Sequence, residues 1–299
     1  MRLFLNIIFV LSIASISLSA QRAALIKTEP NASVWLNGVL YGKTDASGAL
    51  EIKNAPPGPQ NVRVRADGFK EATKPLLAGS NQITLVKTTD ETELAFQEAE
   101  RLAVVDRAKA AEAYRKAIKL KPAYIDAHIG LARILSEAGD NEGADKAIKA
   151  ALRLNPRNAE AAAVDGRIQK ALGQETKAIA AFKRAIANGG GFQPEAYTAL
   201  AMLYQERAEA SAGEGDMAGE TRNYDEAARN FSVAVKQLGT GADAPTVYQL
   251  LGLVYERQKK FREAITLYET FLRLFPDSVE SEAVRSFIVQ IKKQMAEQD

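Results

Sequence analysis

The chain has 299 residues, 46% hydrophobic and 25% charged, which is typical of a folded protein with one large or two ordinary domains. Its 39 basic and 37 acidic residues give a formal charge of +2, which provides no basic field for general nucleic-acid binding. Because the chain has no cysteine and one histidine, thiol catalysis, disulfides, iron–sulfur clusters and metal sites built on cysteine or several histidines are excluded. No cofactor is predicted.

Residues 1–20 have the layout of a secretory signal peptide. Arg2 precedes an apolar run that ends near Leu18, and the small residues Ser19 and Ala20 follow. Polar residues interrupt this run and it is short for a bilayer span, which favours a cleaved signal over a membrane anchor. The absence of cysteine excludes a lipoprotein. We therefore expect an exported protein of the periplasm or cell envelope that is not an integral membrane protein after cleavage.

Residues 21–88 alternate short β-type runs with turn sequences. Asn37-Gly38 between two apolar runs predicts a hairpin, because both central residues of a type I′ turn need positive φ. Further turns are predicted at 45–48, at 56–58 and at 79–81. The predicted strands are 24–26, 33–36, 39–41, 49–52, 62–65 and 83–86, with a further short piece at 68–69. Six or seven short strands predict a small all-β sandwich.

This segment resembles the PEGA domain. The elements that carry the resemblance are Ala32-Ser33-Val34-Trp35-Leu36-Asn37-Gly38, Gly42-Lys43-Thr44, Pro57-Gly58, Val62-Arg63-Val64 and Gly68-Phe69. One element departs, since Thr44 is followed by Asp45 and not by the usual proline. The resemblance implies a non-catalytic module of an envelope or surface protein. Residues 89–93 follow as a predicted linker, with Asp90 or Thr92 able to cap a helix that begins near Leu94.

Residues 94–277 show an internal period of 34. Ala110, Tyr114, Ala117 and Pro122 recur as Ala144, Ile148, Ala151 and Pro156, and again as Ala178, Phe182, Ala185 and Gly190. Two further copies lie at Ala227, Phe231 and Ala234 and at Ala264, Tyr268 and Phe271. On this pattern the chain resembles the tetratricopeptide repeat (TPR) family over five repeats, which implies an all-α solenoid of stacked helical hairpins. Residues 278–299 are predicted to be its capping helix.

The fourth repeat contains an insertion at 206–223. The interval from Ala201 to Ala227 spans 26 positions, against 12 from Ala132 to Ala144. Three glycines in the inserted segment disfavour a continuous helix, so we expect a first helix that extends to about Ala212 and a mobile loop after it. The insertion is interpreted as a tolerated surface segment, with a contact element as the alternative.

The resemblance to TPR proteins implies a concave groove lined by the first helix of each repeat. The positions that point into this groove correspond here to Arg133, Arg167, Lys170, Met202, Gln205, Gln249 and Glu256. Arg133 and Arg167 are one period apart and should stand side by side, and two guanidinium groups suit the carboxylates of an acidic peptide or a C-terminus. The alternative is that they are ordinary surface arginines paired with Glu137 or Asp165.

The sequence contains no nucleophile motif, phosphate loop or metal-ligand spacing, so no enzymatic activity is predicted. We expect an exported scaffold that binds a protein or peptide partner in the TPR groove, while the β domain positions it at the cell envelope. The alternative function is binding of cell-wall or envelope polysaccharide by the β domain. Trp35, the only tryptophan, is the candidate contact for such a glycan, although structural packing is the more ordinary role for it.

Overall fold

The computed structural model describes residues 22–55 and 59–297. The predicted signal peptide at 1–20 and the predicted turn at 56–58 lie outside the described residues. Within these two stretches a β region (residues 22–87) precedes a helical region (residues 91–296). No helix in the described stretches is both long enough and apolar enough to cross a membrane.

The β region contains three small sheets. The described strands are β1 (Arg22–Lys27), β2 (Ser33–Leu36), β3 (Val39–Lys43), β4 (Ala49–Ala55), β5 (Asn61–Arg65), β6 (Phe69–Lys70), β7 (Ala72–Pro75), β8 (Gly79–Gln82) and β9 (Val86–Lys87). Their order is β4-β1-β8 in the first sheet, β3-β2-β5-β7 in the second and β6-β9 in the third. Inward residues of the two larger sheets, such as Ile26, Val34 and Val64, form one hydrophobic core.

Side chains as well as the backbone shape the connections of the β region. Asn37 and Gly38 have φ of 47° and 88°, which confirms the predicted hairpin turn between β2 and β3. The buried Thr44 hydroxyl donates to the carbonyl of Glu29 at 2.7 Å and accepts from the amide of Ala32 at 2.8 Å. The hydroxyl therefore fastens the loop before β2 to the end of β3.

The end of the β region differs from the sequence prediction. Residues 79–81 were expected to form a turn before a strand at 83–86, but Gly79–Gln82 is strand β8, which pairs in parallel with β1. Ile83 and Leu85 are buried outside any strand. The prediction was wrong because apolar alternation reports which side chains are buried, whereas a strand requires a backbone partner.

Eleven α-helices follow in the described residues. They are α1 (Glu91–Leu102), α2 (Arg107–Leu120), α3 (Ile125–Glu137), α4 (Asn141–Leu154), α5 (Ala159–Ala171), α6 (Glu175–Asn188), α7 (Pro194–Gly213), α8 (Met217–Leu238), α9 (Ala244–Arg257), α10 (Phe261–Leu274) and α11 (Ser281–Ala296). The first ten form five antiparallel hairpins, as the period of 34 predicts. Helix α1 begins three residues before its predicted start, with the Asp90 side chain accepting from the amide of Thr92.

Small residues opposite aromatic rings allow the two helices of a hairpin to approach closely. A Cβ added to Gly166 in α5 would lie 2.5 Å from the ring of Phe182 in α6. One added to Gly252 in α9 would lie 2.2 Å from the hydroxyl of Tyr268 in α10. Both aromatic side chains are fully buried. Because the same small and aromatic positions recur in successive repeats, the two helices of each hairpin pack together in nearly the same way.

The insertion at 206–223 is helical. Helix α7 runs to Gly213, close to the predicted end, but Met217 already begins α8, so only residues 214–216 lie between the two helices. The predicted mobile loop is therefore replaced by a tight turn, in which Gly215 has φ of 77°. Gly219 is buried in the first turn of α8, where a Cβ would collide with the carboxylate of Asp216 and lie 2.8 Å from the hydroxyl of Ser211 in α7. The inserted residues lengthen both helices of the fourth hairpin.

Helix α11 covers the end of the stack. Val284, Ile288 and Ile291 are buried, and Phe287 and Met295 pack against the same core as α9 and α10. This is the apolar stripe predicted for the capping helix, which begins at Ser281 in the structure. It gives the fifth hairpin the neighbour that it needs to bury its outer apolar surface.

Candidate functional site

The first helices of the hairpins form the inner layer of the solenoid. Helix α3 contacts α5, and α5 contacts α7, whereas the second helix of each hairpin contacts the first helix of the next. Because these first helices lie closer together than the second helices, the concave face is on the side of α3, α5 and α7, and we expect α9 to continue it as the next first helix. All seven predicted groove residues lie on these four helices.

Arg133 and Arg167 meet at one carboxylate, that of Glu195 in the first turn of α7. Arg133 donates to both Glu195 oxygens, at 2.9 and 3.1 Å, and Arg167 donates to one of them at 3.0 Å. Arg133 also donates to Glu160 at 3.3 Å. The expected proximity of the two arginines is thus present in the structure. Their partner is a residue that the sequence did not single out.

The partners proposed in the alternative interpretation are engaged elsewhere. Glu137 lies 3.4 Å from Arg107, and Asp165 accepts from Arg184 at 2.6 Å and from Gln169 at 3.1 Å. Asp165 is buried, so these hydrogen bonds explain how a carboxylate is accommodated inside the stack.

The cluster is only partly accessible to solvent. The exposed fractions of the Arg133, Glu195 and Arg167 side chains are 26%, 29% and 38%. Desolvation alone would raise the pKa of Glu195, but the charges and hydrogen bonds of Arg133 and Arg167 hold it below its ordinary value. Desolvation likewise opposes the charge on Arg133, while Glu195 and Glu160 raise the pKa of its guanidinium. Glu195 and Arg133 are therefore both ionised at neutral pH.

The other predicted groove residues have partners or exposures of their own. Lys170 donates to Glu206 at 2.6 Å, Gln205 donates to Glu209 at 3.0 Å, and Glu256 accepts from Tyr268 at 2.7 Å. Met202 is 39% exposed and Gln249 is half-buried. Of the seven predicted groove residues, the structure joins Arg133 and Arg167 into a single cluster. Their role in partner binding stays a prediction.

The β region is attached to the first hairpin through Arg65. Its guanidinium donates to Glu71 at 2.6 Å within the β region and to Glu100 of α1 at 3.2 Å, and it lies 4.7 Å from the ring centroid of Phe96. Gln97 adds two backbone contacts, since it accepts from the amide of Gly68 at 2.8 Å and donates to the carbonyl of Phe69 at 2.7 Å.

A second attachment joins the β region to the loop between α8 and α9. The amide of Ala242 donates to the carbonyl of Leu40 at 2.9 Å, and Thr240 donates to the carbonyl of Asn54 at 3.3 Å. Val39 is buried in the same apolar cluster as α8 and α9. Tyr41 donates to the carbonyl of Leu238 at 3.3 Å, and burial raises its pKa to about 12. The β region therefore bridges hairpins that are distant in sequence.

Trp35 lies on the outer face of its strand, opposite Val34 and Leu36, as strand alternation predicts. The Arg63 and Arg65 guanidiniums lie 4.6 and 5.6 Å from the centroid of its ring. Two cation–π contacts give the indole a packing role at the junction with α1. A glycan contact at Trp35 stays a prediction. The alternation of Arg63 and Arg65 was the sequence signal for this outward basic face.

Two parts of the helical region match family models described as tetratricopeptide repeats, residues 102–168 and residues 245–278. The helical region is a TPR-like solenoid. Yeast Tom70 is similar to this chain at 18% identity with a TM-score of 0.54, over 69% of this chain and 40% of that one. At this identity the likeness shows the fold alone.

Two further solved structures are similar at lower TM-scores. MamA protein is 20% identical with a TM-score of 0.45, over 65% of this chain and 97% of that one. A thermophilic TPR protein in Thermus thermophilus is 18% identical with a TM-score of 0.47, over 67% and 98%. No curated protein matches the sequence.

The resemblance of the β region to the PEGA domain stays a prediction. Within the described residues, no three metal-binding side chains come together.

Proposed function

We propose that the chain is an exported, non-enzymatic scaffold that binds a protein or peptide partner on the inner face of its solenoid. The observation that carries this proposal is the TPR-like stack itself, because proteins of this kind generally bind protein partners through the face that their first helices line. The apolar segment at residues 1–20 supports export, and the β region would position the solenoid at the cell envelope.

The electrostatics of the inner face favour a partner that brings a carboxylate. Arg167 donates to Glu195 through one guanidinium nitrogen. Its side chain is the most exposed of Arg133, Arg167 and Glu195. Lys170 pairs with the exposed Glu206, and an exposed pair of this kind is worth at most about 1 kcal/mol. An acidic side chain or a C-terminus would therefore add to Arg167 and displace Glu206 from Lys170, leaving the Arg133–Glu195 contact in place.

Site-specific photo-crosslinking in cells tests this proposal. A photoreactive amino acid at Met202, on the inner face, is expected to give discrete cross-linked products of higher mass. The same amino acid at Lys236, which is exposed on the second helix α8, is the matched control and should not give them. Identical products from both positions, or none from Met202, would remove the support for an inner-face partner.

Charge reversal identifies the chemistry of the partner. Arg167→Glu is expected to reduce the Met202 cross-links, because it replaces an attractive group with a repulsive one. Arg229→Glu makes the same charge change at an exposed position of α8 and should leave them unchanged. Cross-links that survive Arg167→Glu would exclude a carboxylate contact at this site while leaving open a neutral partner elsewhere on the face.

A further inference from the structure

The lengthened fourth hairpin ends in an acidic tip. We call residues 206–223 the arm and residues 209–222 its tip. The tip carries four acidic side chains against one basic side chain: Glu209, Glu214, Asp216 and Glu220 against Arg222. Met217 lies among the acidic residues and is 70% exposed. The tip therefore combines one exposed apolar side chain with a net negative charge.

The arm is held in a defined position. At its base Glu206 pairs with Lys170, and Arg207 pairs with Glu175. Towards the tip, Ala208 and Gly219 are buried between the two helices. Asp216 caps α8 by accepting from the amide of Gly219 at 2.8 Å. The arm therefore presents Met217 on a folded support.

The outer face of the first two hairpins carries a groove of complementary character. It is an open depression of about 470 Å³ between α2 and α4, with α3 beneath it. Its floor is apolar and includes Ile118, Leu131 and Ala147. Its rim carries the cations Arg115, Lys119 and Lys146.

The rim cations are available for a partner. Among the described residues, no carboxylate lies within ion-pair distance of Arg115, Lys119 or Lys146. The one acidic residue that lines the groove, Asp140, already accepts from the amide of Gly143 at 2.9 Å as the cap of α4. The groove thus has an apolar floor and an unneutralised positive rim.

We propose that the arm tip of one molecule docks in the α2–α4 groove of a second copy of this chain. Met217 enters the apolar floor, where a flexible thioether fits an irregular surface, and Glu214 and Glu220 meet the rim cations. The occupant is a second copy because this chain itself carries the acidic, methionine-bearing end that the basic, apolar groove requires.

The geometry of this contact is head-to-tail. The tip belongs to the fourth hairpin and the groove to the first two, so each docked pair leaves one free tip and one free groove. Contacts of this heterologous kind build open chains rather than closed dimers. A single tip in a groove buries less surface than the roughly 1,600 Å² of a standard interface, so assembly should depend on protein concentration. It should also weaken as salt screens the charges.

Sedimentation velocity of the purified protein tests the proposal. The wild type is expected to form a concentration-dependent series of oligomers at low salt and to revert to monomer at high salt. A tip variant, Glu214→Gln with Met217→Ser and Glu220→Gln, and a groove variant, Lys119→Gln with Lys146→Gln, should each remain monomeric. An equimolar mixture of the two variants should form a 1:1 dimer and nothing larger, since one intact tip and one intact groove remain.

Several outcomes would overturn this proposal. These are a wild type that stays monomeric at every concentration, either variant still assembling, or a mixture of the two that fails to dimerise. Binding of the wild type to vesicles containing anionic phospholipid that is lost in the groove variant, without self-association, would assign the groove to a membrane surface instead. Lys177→Gln with Lys183→Gln on α6 removes the same charge outside the groove and should leave assembly unchanged. Circular dichroism confirms that each variant is folded.

Discussion

Glu195 is the residue on which the charge balance of the inner face depends. Without it, Arg133 and Arg167 would lie close together with only the exposed Glu160 as a counter-charge. The carboxylate also joins three successive hairpins, because Arg133, Arg167 and Glu195 belong to α3, α5 and α7. One side chain therefore stabilises the stacking of hairpins and at the same time sets the number of guanidinium donors left for a partner.

Glu195→Gln is expected to lower the free energy of unfolding by about 2 kcal/mol at neutral pH, between the values typical of exposed and buried ion pairs. The folded-state pKa of Glu195 is lowered, so its contribution is fully present above its ordinary pKa of 4.5 and is lost as the pH falls through the folded value. The difference between wild type and variant in urea unfolding should therefore shrink in acid.

Glu226→Gln is the matched control for that series. Glu226 pairs with Arg229 on the exposed surface of α8, so its loss should change the unfolding free energy by less than about 1 kcal/mol. If Glu195→Gln behaved like Glu226→Gln at neutral pH, the three-hairpin cluster would have no structural role.

The two arginines show how far sequence reasoning reaches at the residue scale. A period of 34 is enough to place Arg133 beside Arg167, since equivalent positions of stacked repeats are neighbours. Their partner could not be predicted in the same way. Glu195 is 62 and 28 residues away from them, and its position follows from the turn that starts α7. The repeat period predicts that residues at equivalent positions of successive repeats are neighbours. It does not predict contacts between residues at different positions of the repeat.

The arm shows the corresponding limit at the scale of an element. Its glycines suggested a loop, because glycine lowers helix stability by up to about 1 kcal/mol. Each glycine has a different role in the structure. Gly213 ends α7, Gly215 occupies the positive-φ position of the turn, and Gly219 leaves room for the Asp216 cap and for Ser211 of α7. Propensity alone cannot separate a glycine that breaks a helix from one that packs inside it.

Asp216→Ala is expected to loosen the start of α8 without unfolding the solenoid. It removes the hydrogen bond to the amide of Gly219, and the loss of such a cap costs about 1 kcal/mol locally. Hydrogen exchange should therefore accelerate at residues 217–220 by several-fold. Asp243→Ala is the control, because Asp243 precedes α9 without making a capping hydrogen bond. Equal acceleration in α8 and α9 would contradict the capping role of Asp216.

The β region shows a limit of the same kind. Strands β2 to β5 were predicted from alternation and turns that are local in sequence. Strand β8 was missed because its partner is β1, more than fifty residues earlier, and because Gly79-Ser80-Asn81 has no strand-like side chains. The backbone hydrogen bonds of a parallel pair leave no signature in a sequence of this composition.

At the scale of the whole molecule, the two attachments of the β region couple it to the solenoid. One lies at α1 through Arg65 and Gln97, and the other lies at the loop between α8 and α9. Neither was predicted, and the second depends on the curvature of the stack, which brings the loop between α8 and α9 to the β region. We expect the two regions to unfold together, because separating them exposes Val39 and breaks the polar contacts at both ends.

Gly241→Val tests this coupling. A Cβ at Gly241 would lie 2.4 Å from Cγ1 of Val39, so a larger side chain should force the loop away from the β region. Trp35, the only tryptophan, reports on the β region, and far-ultraviolet circular dichroism reports on the helices. The two unfolding transitions should coincide in the wild type and separate in the variant. Thr246→Val, at an exposed position of α9, should leave them coincident; separate transitions in the wild type would refute the coupling.

The bridge formed by the β region has a mechanical consequence. A solenoid of stacked hairpins can change its curvature, because each hairpin contacts only its neighbours and small rotations between hairpins accumulate along the stack. In this protein the β region contacts the stack at the first hairpin and again between the fourth and fifth hairpins. The curvature of the stack is therefore fixed before a partner binds. A ligand on the inner face then meets a surface of set curvature, and little of its binding energy is consumed in ordering that surface.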